Sequence, residues 1–292
     1  AEWLRVEPPG RAGERWHVDL GEHDQRAAFR YGARNGDNAA GNRAQPSVGV
    51  HRDRAELDRF ARMTGGHARL SPAELQALES ALDDRFAGAL YYAEEAHLAP
   101  ESALRFLLDS CLAQGVALRL GDGNRPESHD LVIDCRGLGA KDDLPTLRGV
   151  RGERIVVRSR DVALTRPLRL LHPRFPLYVV PWGDGLYMIG ATVIESEEVG
   201  AITVRSALDL LSAAYAVDSA FAEAEIVRQG AGARPAFPDN RPRIIARKGY
   251  IYVNGLYRHG FLLAPALAEL VAAFVETGAT DPEVFREDLA QR

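Results

Sequence analysis

One arginine and two glycines stand between a strand and a helix near the C-terminus, in Tyr250-Ile251-Tyr252-Val253-Asn254-Gly255-Leu256-Tyr257-Arg258-His259-Gly260-Phe261-Leu262-Leu263-Ala264-Pro265. A turn of this kind aims unpaired backbone N–H groups and one positive charge at a single point, which is the chemistry of anion binding at a helix N-terminus. An ordinary strand-to-helix connection fits the same residues. Gly230-Ala231-Gly232-Ala233-Arg234-Pro235 reads as a glycine-rich turn holding one arginine before a proline, either an anion clamp or a turn with a solvated arginine. Tyr178 lies in the β-run Leu177–Pro181, whose alternate residues face opposite sides. A tyrosine there is a core or interface residue unless its hydroxyl meets a ligand. The sequence has no H-E-x-x-H, P-loop or G-x-S-x-G. Its histidines are scattered, and His97, His172 and His259 lack a partner at metal-ligand spacing.

The elements that must position these groups come in three blocks. Residues 1 to about 48 are rich in Arg, Gly, Ala and Asn without a sustained period, and read as loop or disorder. Helices follow at Arg54–Met63 and after Ser71-Pro72, where Glu74 completes a capping box. Ala89–Tyr92 predicts a short strand and Pro100–Gln114 an amphipathic helix. Asp130–Cys135 is a buried-strand pattern running into Arg136-Gly137-Leu138-Gly139. Strands then dominate at Arg154–Arg158, Leu168–Leu171, Leu177–Pro181 and Leu186–Thr192, with a hairpin turn at Gly183-Asp184-Gly185. Ser206–Tyr215 returns to helix. After the strand Ile251–Val253, apolar residues at helical spacing run from Leu267 to Val275, with Pro265 expected in the first turn and Gly278 at the end. The pattern is that of an α/β chain with α+β character.

At 292 residues, 46% hydrophobic and 26% charged, the chain has a globular composition. A net charge of −5 gives no electrostatic reason to expect nucleic acid. Cys111 and Cys135 point to neither a disulfide framework nor a zinc site. No unbroken apolar stretch of membrane-spanning length and no apolar signal segment are read here. A soluble, cytoplasmic setting without a membrane partner is expected.

Taken together, Gly149-Val150-Arg151-Gly152-Glu153, Tyr178-Val179-Val180-Pro181, Gly190-Ala191-Thr192, Gly232-Ala233-Arg234-Pro235 and Gly255–Pro265 resemble the FAD-dependent glycine oxidases of thiamine biosynthesis, within the D-amino-acid oxidase superfamily. The resemblance covers residues 49–285, and Glu94–Pro100 matches the segment leading into a flavin-domain helix. It implies an FAD/NAD(P)-binding-type domain remnant (95–148 and 226–285) interleaved with an antiparallel-sheet substrate domain (49–94 and 149–225), followed by a tail at 286–292. It implies oxidative deamination of glycine or a similar small amino acid, with O2 as acceptor and peroxide as product. The related alternative is sarcosine or a D-amino acid. A homo-oligomer is compatible with it.

By the same resemblance, Arg258 pairs with the substrate carboxylate, Tyr178 lends a hydroxyl to it, and Arg234 lies close by. The flavin is implied to meet Arg136 and Gly137 on one loop. On the other it meets Gly255, Arg258 and His259, together with Gly260, Phe261, Leu262 and Leu263, whose N–H groups face the flavin N1/O2 edge. One departure stands out: the sequence lacks the G-x-G-x-x-G turn that cradles the FAD pyrophosphate, and the hairpin before Leu131 looks shortened to Leu120–His129. Two expectations follow. Residues 1–48 are an abnormal start on a genuine oxidase body, or the chain is a flavin-free homologue with a binding or structural role.

Overall fold

A computed structural model describes residues 42–43, 46–82, 85–118, 131–172, 177–247 and 249–287. The segment before Asn42 and the shortened hairpin lie outside the described residues. In chain order the elements are β1 (Asn42–Arg43), β2 (Ser47–Val50), α1 (Arg54–Met63), β3 (Ala68–Leu70), α2 (Pro72–Leu78), β4 (Ala89–Tyr92), β5 (His97–Leu98) and α3 (Pro100–Ala113). The middle contributes β6 (Val132–Asp134), β7 (Arg148–Arg158), β8 (Leu168–Leu170), β9 (Leu177–Gly183), β10 (Leu186–Gly190), β11 (Ile194–Glu195) and α4 (Val204–Val217). The chain closes with β12 (Glu225–Ala236), β13 (Arg243–Arg247), β14 (Tyr250–Asn254), α5 (Gly260–Thr277) and β15 (Phe285–Glu287).

Local chemistry sets many of these boundaries. Asp53 caps α1 by accepting from the Ala55 N–H at 2.7 Å, and the Ser71/Glu74 capping box opens α2 with Pro72 in its first turn. Thr203 caps α4, and Gly278, at φ 74°, ends α5 in the left-handed conformation that glycine adopts without strain.

Among the described residues, nine strands form the large sheet, in the order β11-β7-β10-β9-β8-β2-β4-β3, with β12 also on β7. All its pairings are antiparallel except β2 with β8. One face is apolar: Val48, Ile155, Val157, Val179 and Ile189 pack against Leu75 of α2 and Leu210, Ala214 and Val217 of α4. Each large side chain buried there contributes about 1.5–3 kcal/mol. Because successive residues alternate across a strand, Tyr178, Gly190, Gly152 and Arg154 lie on the opposite face.

A second sheet runs β15-β13-β14-β6, with β14–β6 and β13–β15 parallel. Leu267 and Val271 of α5 pack on Ile244 and Ile251 of this sheet.

The structure corrects several expectations. Gly230–Pro235 is not a turn but part of β12, paired along its length with β7; the ladder hydrogen bonds come from a distant strand and overcome the glycines' low β-propensity. That pairing also puts β12 in the large sheet, whereas the resemblance implied it in the FAD-binding-type part. Pro265 is inside α5, not in its first turn. The carbonyl of Phe261, which its missing N–H leaves without a helical partner, lies at the exposed start of the helix, where water can meet it. Strands begin before residue 48, where loop was expected: β1 is Asn42–Arg43, and β2, buried throughout, opens at Ser47. Finally, α5 is long and apolar enough to cross a membrane by length and composition alone (18 residues, mean hydropathy 1.6). This does not overturn the expectation, because Glu269 and Glu276 interrupt the apolar run inside the helix and no unbroken stretch is present.

Candidate functional site

The open face of the large sheet is floored by glycine. Tyr178, Gly190, Arg154 and Gly230 stand in one cross-strand row over β9, β10, β7 and β12. Gly152 pairs with Gly232 in the next row, and Val150 with Arg234 beyond it. Tyr178 lays its ring over Gly190, where a Cβ would stand 3.1 Å from the ring and from the hydroxyl. Arg234 turns its guanidinium back over Gly152, where a Cβ would come within 2.0 Å of Nη2. Both polar tips therefore lie flat on the same backbone floor. Arg234 Nη1 donates to the Thr192 carbonyl at 3.3 Å. Burial pulls the Arg234 guanidinium below its ordinary value, Tyr178 and Tyr257 oppose this, and the like charge of Arg258 adds to it. Those four residues thus share one electrostatic neighbourhood.

The floor is held from beneath by a buried ion pair. Arg151 bonds Glu153 Oε1 through Nε (2.9 Å) and Nη2 (2.6 Å), and both side chains are almost wholly buried. Arg151 also donates to the carbonyls of Glu198, Gly200 and Ala201. The Glu153 N–H donates to Thr192 Oγ1 at 2.9 Å, and the Thr192 N–H returns a bond to the Glu153 carbonyl. Arg151, Glu153 and Thr192 were not read from sequence as site residues; their signal was only the segments Gly149–Glu153 and Gly190–Thr192, which do not say what their polar groups meet.

The second sheet supplies the other wall. The Tyr257 N–H donates to the Pro235 carbonyl at 3.1 Å, bringing the turn before α5 beside Arg234. Tyr257 has φ 51°, an uncommon conformation for a bulky residue that costs on the order of 1–2 kcal/mol. Arg258 and His259, next along, are exposed. Gly255, at φ 79°, packs under Phe237 so closely that a Cβ would clash at 2.3 Å.

Among the described residues no side chain caps α5, and its first backbone acceptor, the His259 carbonyl, is taken by the Leu263 N–H at 2.8 Å. Leu263 is therefore withdrawn from the expected set of free amides, leaving those of Gly260, Phe261 and Leu262. A Cβ on Gly260 would meet nothing within 4 Å, and Phe261 and Leu262 are 44% and 56% exposed. An uncapped helix end with open space and apolar side chains fits the electron-rich edge of a flat aromatic cofactor.

The Arg136–Gly137 loop has a different character. Arg136 is engaged by Asp134 (Nη2–Oδ2 2.7 Å) and Asp143, so its side chain braces the loop. Gly137, at φ 58°, offers its carbonyl to Asn254 Nδ2 at 2.9 Å. Asn254 thereby joins the two loops the resemblance implied separately.

Comparison with known proteins addresses the family and the fold. The sequence matches the family described as FAD dependent oxidoreductase (DAO) over residues 18–274. It is 49% identical over 233 residues to the thiamine biosynthesis oxidoreductase ThiO of Rhizobium etli, covering 80% of this chain and 71% of that protein. Glycine oxidase of Bacillus cereus shares the fold with a TM-score of 0.75 at 22% identity, over 88% of this chain and 81% of that one. Glycine oxidase of Geobacillus kaustophilus does so with a TM-score of 0.73 at 21% identity, over 90% and 77%. By the extent of the family match and the identity to ThiO, this chain belongs to the DAO family of FAD-dependent oxidoreductases.

Proposed function

We propose that the chain oxidatively deaminates glycine or a similarly small amino acid, with O2 as acceptor, in the cytoplasmic synthesis of the thiamine thiazole. Its products are the imine, hydrolysed to glyoxylate and ammonia, and hydrogen peroxide. Support comes from the 49% identity to ThiO and from the fold shared with glycine oxidases. The observation that carries the reading is Arg234. It is half-buried, lies flat beside Tyr178, and has no carboxylate in ion-pair reach among the described residues. A planar guanidinium donates two parallel hydrogen bonds to a carboxylate, and the Tyr178 hydroxyl adds another. In this reading Arg234 and Tyr178 are the primary clamp, and Arg258, exposed at the rim, adds charge from above.

FAD, when bound, supplies the acceptor for the hydride leaving the substrate Cα. The residues that would hold its flavin are the Gly260–Leu262 amides, with Gly255, Arg258, His259 and Leu263 around them and Arg136 and Gly137 on the facing loop. Phe261 and Leu262 would keep water from the reacting face. The protein's own task is orientation: clamping the carboxylate fixes where Cα stands.

The test is anaerobic glycine added to FAD-loaded protein. Bleaching of the flavin band is expected, and Arg234→Lys should raise the glycine KM at least tenfold, more than Arg258→Lys does. Colourless protein that takes up no FAD on titration would overturn the oxidase and favour the flavin-free alternative.

A further inference from the structure

We propose that the same glycine floor carries a second anion site, formed by Arg154 beside Trp182, and that the protein binds amino acids bearing a second, distal carboxylate. This rests on Arg234 and Tyr178 being the clamp for the first carboxylate. Arg154 is in register with Gly190 on one side and Gly230 on the other, in the row that begins with Tyr178. Residues paired across antiparallel strands share a face, so Arg154 rises from the same surface as Tyr178. Its flanking positions have no side chains, and a Cβ on Gly230 or Gly232 would meet nothing within 4 Å. The path between the two arginines is therefore open.

The charges along this face are not equivalent. Arg154 Cζ lies 6.0 Å from the Trp182 ring centroid, and Arg228 Cζ lies 5.6 Å from it. Arg228 is paired with Glu101 at 2.9 Å, so its charge is met. Arg154 is half-buried and has no ion-pair partner among the described residues. A cation held against an aromatic ring, partly out of water and without a counter-ion, favours an arriving anion.

Spacing sets the ligand class. Gly152, beneath the Arg234 guanidinium, and Arg154 are two residues apart on β7, about 7 Å along the strand. Arg154 then extends away toward Trp182, placing the two guanidinium groups on the order of 10 Å apart. With a carboxylate on each, the gap suits two or three intervening carbons, the length of an aspartate- or glutamate-like diacid. Such a compound would use both cations, whereas glycine uses one.

The test is isothermal titration of the full-length protein with two non-oxidisable probes, glutarate and butyrate. Glutarate should bind at least tenfold more tightly. In Arg154→Gln the preference should fall below twofold, and Arg154→Lys should retain most of it. Equal affinities in the unsubstituted protein, no measurable glutarate binding, or a preference that survives Arg154→Gln would each overturn the site. Butyrate affinity in the variants reports that the floor is still folded. Glycine oxidation without a glutarate preference would remove this site and leave the proposed function. A glutarate preference without glycine oxidation would do the reverse.

Discussion

Arg234 occupies the space where residue 152 would carry a side chain, with Nη2 only 2.0 Å from the position of a Cβ. Gly152 has no positive φ, so its backbone would accept alanine; what it cannot accept is alanine together with the present Arg234. Gly152→Ala should therefore spare the fold and displace the guanidinium. The expected result is a fall in glycine kcat/KM of roughly 10- to 100-fold, since misplacing a positioning group by about 1 Å has that effect. The melting temperature should change by no more than about 2 °C. A large loss of stability with no change in KM would mean that residue 152 supports the sheet and not the clamp. Sequence exposed Arg234 as a cation held before a proline but gave Gly152 only as part of a motif, without its role, because the group that needs the space comes from a strand far along the chain. The resemblance named Arg258 for the carboxylate and Arg234 close by, and a motif carries no information on burial: Arg234 is half-buried and Arg258 exposed.

At the scale of elements, β7 is tied to the segment from Ile194 to Thr203 by Arg151 and Glu153. Burial alone would raise the Glu153 carboxyl; hydrogen bonds from Ser206, Arg151 and the Thr203 N–H outweigh it and hold it below its ordinary range. A carboxyl depressed on folding contributes stability that is complete above its unfolded value and lost as pH falls through its folded value. Glu153→Gln leaves Arg151 buried without its counter-ion and should cost roughly 2–4 kcal/mol at pH 7. The gap to the unsubstituted protein should narrow as pH falls below the ordinary glutamate value, because the unfolded chain then takes up the proton that the folded carboxyl still resists. Urea unfolding at pH 7 and pH 3 checks this, and a gap independent of pH would show that the charge contributes nothing. Elements governed by neighbouring residues were legible: the Ser71/Glu74 box and the Asp53 cap start their helices where the sequence puts them. β12 was not, because its glycines signal a turn locally while β7, a distant partner, supplies the ladder.

For the molecule as a whole, the site depends on the second sheet keeping its place beside the large one: Phe237, just after β12, packs with Ile245 and Tyr252, and two hydrogen-bonded ties fix the turn before α5. The Tyr257 N–H reaches the Pro235 carbonyl, binding the turn before α5 to the end of β12. Asn254, 2% exposed, donates to the Gly137 carbonyl and accepts from the Gly255 N–H at 2.8 Å, binding that same turn to the loop after β6. The alternation of helix and strand blocks made the α/β class readable, yet neither tie has a periodic signal, since each is one polar group satisfying a loop. Asn254→Ala would leave a carbonyl and an amide without partners, at about 1–3 kcal/mol for each group that stays dry. Because both belong to loops, the loss should be local rather than global. Hydrogen exchange should quicken at residues 136–140 and 255–259 while β7, β9 and β10 keep their protection, and flavin affinity should fall before the melting transition broadens. Uniformly faster exchange would make Asn254 an ordinary core residue. Protection lost only in these two loops would mean that one buried amide holds the turn before α5 against the loop after β6.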